Sequence, residues 1–243
     1  MSTVLHSWAS TELPNPHRAK ELVVARPRDV AREVRTRREM DELGIRPVGG
    51  TSLQTWEESL ITAQIDSTNL TASNTATSIL PPAAAFTLPA NYFSIGKMIR
   101  ISFTGRLGNI VTTPGTLTLD VRFGSLATPI VVFNGGAMQL SSTAHTTLPF
   151  WADVLLTCRA IGATTSANMM GQGRVFGQAI SFTVNADLAT SNTVGGTLFP
   201  NTTPAVGTGF DSTIANVVNV FGTFSLNNAN AILVHQYVLE ALN

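Results

Sequence analysis

The hydrophobic pattern of this chain changes period once. From about Leu60 onward, apolar residues recur at every second position. In 97–104, Ile99, Ile101 and Phe103 alternate with Arg100, Ser102 and Thr104; in 116–123, Leu117, Leu119, Val121 and Phe123 alternate with Thr116, Thr118, Asp120 and Arg122. Strict alternation marks strands with one buried face. Runs of similar character occupy 60–66, 129–133, 150–160, 174–184, 216–226 and 231–242, with a shorter one at 78–80 or 86–88. Turn sequences separate them: Thr113 to Gly115, Asn134 to Gly136, Gly171 to Gly173, Gly195-Gly196 and Asn227-Asn228. The pattern predicts eight or nine strands. With no helical segment between them to carry a parallel crossover, the sheets should be antiparallel and close as a jelly-roll sandwich.

Upstream of Leu60 the chain reads differently. Residues 1–26 hold Pro14 and Pro16 among mixed polar and apolar residues, with Pro27 just beyond, the composition of an extended arm. The segment 28–43 is predicted as a helix, with Pro27 at its entry and Gly44 at its stop. Glu33 and Arg37, Arg35 and Glu39, and Arg38 and Glu42 have the spacing of supporting ion pairs. Val30 and Val34 share one face while Met40 and Leu43 project away from it, so this helix has no broad stripe to bury against its own domain. Thr55 and Glu58 have the spacing of a capping box, which suggests a second helical turn. The expected organisation is an arm over 1–58, extended and partly helical, followed by a mainly β domain over 59–243.

Charge sharpens this division. Residues 1–58 hold nine of the fifteen Lys/Arg and nine of the fifteen Asp/Glu. Soluble domains normally carry charge on about a quarter of their residues, so a body this neutral reads as a unit whose flanks face copies of itself. In the last strand, simple alternation places Ile232 and Val234 on one face and Leu233, Tyr237 and Leu239 on the other. A strand apolar on both faces is covered twice, which makes Leu233, Tyr237 and Leu239 the candidate oligomer interface. The arm has a local basic excess, eight Lys/Arg against three acids between Arg18 and Arg38. No aromatic residue interleaves for base stacking, and Glu39, Asp41 and Glu42 reverse the sign, so DNA contact is disfavoured. Arg28, Val30, Arg32, Val34, Arg35, Arg37 and Arg38 are the residues expected to dock on an acidic partner protein.

Candidate chemistry is sparse. His6, His17, His145 and His235 lie far apart without a metal-ligand spacing, and His235 reads as an interface or core histidine. Cys158, the only cysteine, shares a strand face with Val154 and Leu156 and reads as a buried apolar residue rather than a nucleophile. Asp120 and Arg122 are expected to answer charges on a neighbouring strand. Gly171 to Gly173 lacks the spacing and following helix of a phosphate loop. The N-terminal residues lack the basic start and apolar core of a signal peptide, and no apolar run approaches the ~18 residues of a membrane span. The expectation is a protein that is not an enzyme, uses no cofactor or metal and engages no membrane.

The segments 88–107, 111–124, 131–140, 155–162, 204–213 and 234–243, in this order and spacing, resemble a family of tailed-bacteriophage and prophage virion proteins. That resemblance implies a jelly-roll subunit, trimeric in the manner of tumour-necrosis-factor-like folds, and no catalysis. It does not reach the first 58 residues. The expected function is a capsid decoration, cement or head-spike subunit, made in the host cytoplasm and resident in the virion. Its partners would be its own copies and the major capsid or other virion proteins, the latter reached through residues 1–50. The alternative is a tail or head fibre adhesin for host surface glycans; an enzyme acting on surface polysaccharide is the weakest reading.

Overall fold

The computed structural model describes residues 57–110, 113–125, 127–181 and 195–242. The helix expected at 28–43, with the arm residues Arg28, Val30, Arg32, Val34, Arg35, Arg37 and Arg38, lies outside them. The described residues form two antiparallel sheets. The wider sheet contains β1 (Glu57–Thr62), β2 (Leu70–Thr71), β5 (Met98–Asn109), β8 (His145–Ala160), β9 (Asn168–Gly177), β10 (Gly195–Phe199) and β12 (Ala231–Leu242). The narrower sheet contains β3 (Thr77–Ser78), β4 (Phe86–Leu88), β6 (Thr116–Gly124), β7 (Pro129–Gln139) and β11 (Asn216–Phe224).

The order of strands identifies the topology. In the wider sheet β1 and β2 both pair β12, which continues to β5, β8, β9 and β10; in the narrower one β3 and β4 both pair β11, which continues to β6 and β7. Lettering the successive strands B to I, with β1/β2 as B, β3/β4 as C and β9/β10 set aside, gives sheets B-I-D-G and C-H-E-F. This is the double Greek key of a jelly roll. The strands β9 and β10 extend the wider sheet past the edge where a minimal jelly roll would stop.

The alternation read from sequence supplies the core. Ile99, Ile101 and Phe103 of β5 lie opposite Leu156, Val154 and Ala152 of β8, all buried. Leu117, Leu119, Val121 and Phe123 of β6 face them from the other sheet. At the core's aromatic end Phe93 stacks on Phe123 with centroids 5.5 Å apart, and Phe210 meets both edge-on at 5.6 and 5.1 Å. Offset and edge-to-face ring pairs add about 0.5–1.5 kcal/mol each beyond the area they bury. Cys158 is fully buried among these residues, as expected.

Several expectations are corrected. The helical turn expected from Thr55 and Glu58 is not seen in the part of it that is described: Glu57 and Glu58 open β1 and pair with Leu242 and Ala241. Asn134 to Gly136 is not a turn but a bulge inside β7. Thr118 pairs Ala137 and Asp120 pairs Asn134, so Gly135 and Gly136 together oppose Leu119. Gly136 takes the left-handed φ of 78° that this requires, and its N–H donates to Asn134 Oδ1 at 2.8 Å. Gly171 to Gly173 is likewise mid-strand: a Cβ at Gly171 would lie 2.2 Å from the Phe133 ring of the opposite sheet. The absent side chain lets the sheets approach, and the strand predicted at 174–184 is instead Asn168–Gly177.

The reading of the last strand also changes. Val234 pairs Gly105 and Gln236 pairs Thr104, leaving His235 as an extra residue in a bulge. One inserted residue inverts the parity of everything after it. Tyr237 and Leu239 therefore join Ile232 and Val234 in this chain's own core, at 3% and 0% exposure. Of the candidate interface residues, Leu233 alone stays on the outer face, which it shares with Gln236 and Val238.

Candidate functional site

Two strand faces look outward, and they differ. On the narrower sheet Asp120 and Arg122, expected to answer a neighbouring strand, answer each other: Arg122 Nη2 donates to Asp120 Oδ2 at 2.9 Å, and the guanidinium lies 4.4 Å from the Phe221 ring centroid. Asp120 is buried, and the loss of hydration pushes its carboxyl above the usual range against the opposing pull of Arg122. The pair closes on itself as a structural element.

The outer face of the wider sheet is more open. Crossing from β12 to β10, one row of outward positions reads Gln236, Thr104, Trp151, Phe176 and Gly196. The adjoining row reads Val238, Ser102, Asp153, Arg174 and Leu198. Trp151 is 45% and Phe176 38% exposed, and they are the aromatic members of the large exposed hydrophobics among the described residues. Their rings lie 6.4 Å apart, tilted by 43°. The Arg174 guanidinium caps the pair at 5.4 Å from Trp151 and 6.0 Å from Phe176. Its charge is answered by Asp153, whose Oδ2 is 3.8 Å from Arg174 Nε and whose Oδ1 accepts the Ser102 hydroxyl at 2.7 Å.

Beside this platform the sheet is hollowed. A trough of 340 Å³ runs over β5 and β12, lined by Thr62, Ser102, Thr104, Gln236 and Val238. The Thr104 hydroxyl donates to Gln236 Oε1 at 3.1 Å, leaving the amide N–H groups of Gln236 without a bond among the described residues. Along the same strands lies a second hollow of 170 Å³, bordered by Asn69, Arg106, Thr147, Leu233 and His235. His235 Nδ1 sits 2.8 Å from Asp66 Oδ1, so the bulge turns this histidine toward an acid rather than into the core. Arg106 is exposed and makes no ion pair among the described residues, whereas Arg100 is held by Glu57 at 2.8 Å and Glu240 at 3.2 Å.

Other chemistry-bearing residues serve the scaffold. Asn109 is buried and donates from Nδ2 to the carbonyls of Ser141 and Thr143 at 2.6 and 2.7 Å. Asn230 bridges Ile110 and Pro114, and Asn216 holds the carbonyls of Asp211 and Ile214. These amides fasten loops, as buried polar groups must. Burial pushes the Cys158 thiol up, away from a nucleophile's range. Among the described residues no three His, Cys, Asp or Glu side chains gather as a metal site, and no helix is long and apolar enough to cross a membrane.

The platform was missed in the sequence, where 150–160 reads as one apolar run. Parity alone carries a signal: Trp151 alternates with buried Phe150 and Ala152 and so shares a face with Asp153. That Phe176 stands beside it is set by the pairing of β8 with β9, which no local pattern encodes.

No family model matches the chain, and no curated protein sequence matches it. Solved structures similar to it include peanut lectin with a nine-residue peptide, at a TM-score of 0.30 and 10% identity over 79% of this chain and 99% of the lectin. Basic winged bean lectin with Tn-antigen has a TM-score of 0.33 and 10% identity over 77% of this chain and 98% of that one. The CBM2 module of the evolved Dit of Lactobacillus casei BL23 phage J-1 has a TM-score of 0.28 and 9% identity, over 79% and 98%. No residue correspondence follows from these likenesses.

Proposed function

We propose that the chain is a non-enzymatic structural and binding subunit of a bacteriophage particle, a capsid decoration, cement or head-spike protein attached through residues 1–50. The observation that carries this reading is the division of charge along the chain: residues 1–58 hold nine of the fifteen Lys/Arg and nine of the fifteen Asp/Glu, ahead of a β body with few charges. A flank with few charges can pack against a copy of itself without desolvating ions. Copies would meet in a closed ring, a trimer, because self-complementary patches favour closed symmetry. The clustering of charge in residues 1–58 supports a separate attachment device, in which Arg35, Arg37 and Arg38 set orientation and association rate more than net affinity.

Particles lacking the protein, incubated with full-length or truncated chain and sedimented, test the assignment. Removal of residues 1–50 should leave a folded protein that no longer joins the particle. Normal occupancy by the truncated protein would place attachment in the jelly roll. Light scattering on the full chain tests the trimer; a monomer at micromolar concentration overturns it.

A second reading, an adhesin for host surface glycans, is favoured by one specific observation: Trp151 and Phe176 stand exposed beside a trough whose lining includes Ser102, Thr104 and Gln236.

A further inference from the structure

We infer that the outer face of the wider sheet is an oligosaccharide-binding site, with Trp151 and Phe176 as its stacking platform, the Ser102–Thr104–Gln236 trough as its hydroxyl-reading floor, and Arg106 as a subsite for an acidic sugar. The inference rests on the adhesin reading and gives it a location and a ligand class.

A pyranose ring has two chemically different surfaces, an apolar face of C–H groups and a rim of hydroxyls. A site for it needs exposed aromatic area next to fixed polar groups, and the two adjoining rows of this sheet supply both. Trp151 and Phe176 present rigid aromatic surface with few torsions to freeze. Arg174 cannot swing freely over them, since Asp153 holds it from one side and the two rings from the other. The floor residues Ser102 and Thr104 have short side chains already committed to Asp153 and Gln236, so their geometry is set before any ligand arrives. The Gln236 amide and the remaining lone pairs of Asp153 are then available to sugar hydroxyls.

The shape of the face selects the occupant. A flat sheet packing on a second protein copy has no need of hollows, whereas 340 Å³ falls within the range of about 300–1,000 Å³ for small-ligand clefts. The second hollow lies two residues further along β5, from Thr104 to Arg106, which is about 7 Å at the rise of a strand. A linear saccharide lying along β5 and β12 would pass from the platform and trough to Arg106. At that end the exposed guanidinium has no ion-pair partner among the described residues, and His235 is already engaged by Asp66. A carboxylate on the sugar, as in a uronic acid, would supply the missing charge, and Arg is suited to grip it through two parallel hydrogen bonds.

The test uses the full-length protein on an array of defined neutral hexose, N-acetylhexosamine and uronic-acid oligosaccharides, with hits quantified by calorimetry. Trp151→Ala and Phe176→Ala should each weaken binding at least about tenfold, and Arg106→Gln should abolish the preference for uronic acid over its neutral counterpart. Leu226→Ala and Ile214→Ala, at exposed positions outside these strands, should bind as wild type. A thermal melt of each variant establishes folding; Gln236→Ala, altering an exposed floor residue, replaces any aromatic variant that unfolds. Glycan binding that survives in folded Trp151→Ala, Phe176→Ala and Gln236→Ala overturns this site while leaving the adhesin reading intact. Absence of binding to every glycan overturns both, and leaves the structural assignment to be decided by sedimentation with particles.

Discussion

The bulge at His235 makes a sharp energetic claim that one pair of substitutions can test. With the bulge, Leu239 is a core residue and Leu233 an outer-face residue; without it, the two would share a face. Leu239 is fully buried opposite Ile101, itself fully buried. Truncation to Ala at such a position removes the transfer energy of the lost atoms and leaves a cavity, together about 2.5–5 kcal/mol. For a domain of this size each kcal/mol lowers Tm by about 2–4 °C, so Leu239→Ala should melt about 5–20 °C below wild type. Leu233→Ala should stay within about 1 kcal/mol in the isolated subunit, as partly exposed positions do. Urea unfolding followed by circular dichroism gives both values, with light scattering on the same samples reporting oligomer size. Equal losses for the two variants, or a larger one for Leu233→Ala, would refute the parity inversion. A change of oligomer size in Leu233→Ala alone would support the outer face as the contact between copies.

Two further outcomes follow from individual side chains. The Tyr237 hydroxyl is buried without a hydrogen-bond partner among the described residues, and burial pushes its pKa far upward; Tyr237→Phe should be neutral or stabilising by up to about 1–2 kcal/mol in the same urea assay. Hydrogen bonds from Thr213 hold the Asp211 carboxyl below its ordinary value of 3.8. Its contribution to stability is therefore complete above that unfolded value and lost as the pH falls through the lower folded one. Asp211→Asn should show less acid sensitivity than wild type below about pH 4, and an unchanged acid profile would refute the assignment.

What could be read from the residues alone was the period, and what could not was anything that shifts it. The alternation in 97–104 and 116–123 predicts which side chains enter the core, and they do, because a half-buried strand writes its two faces into successive positions. At Asn134 to Gly136 and Gly171 to Gly173 the same letters that signal a turn serve a bulge and a close approach between sheets. Glycine answers to steric demands that local sequence does not distinguish. At His235 nothing local announces an extra residue; the bulge exists because β12 must match β5 on either side of it. The candidate interface therefore lost Tyr237 and Leu239, and the binding platform gained Trp151 and Phe176, through the same cause: inter-strand register decides which face a residue joins and which neighbour it meets.

The pairing of Glu57 with Leu242 brings the entry and exit of the described body to one corner of the wider sheet. This has a mechanical meaning. Opposed forces applied at these two points would peel β1 from β12 in sequence, each ladder bond carrying the load alone and yielding in turn. A pull transmitted along β1 from residue 57, resisted by a ligand gripping the sheet face, would instead load those bonds together in shear. A body anchored on the side of residue 57 and hauled by its face would thus be braced in its stronger direction. A cargo fused after residue 242 would load the weaker one, and should open the sheet at a far smaller force.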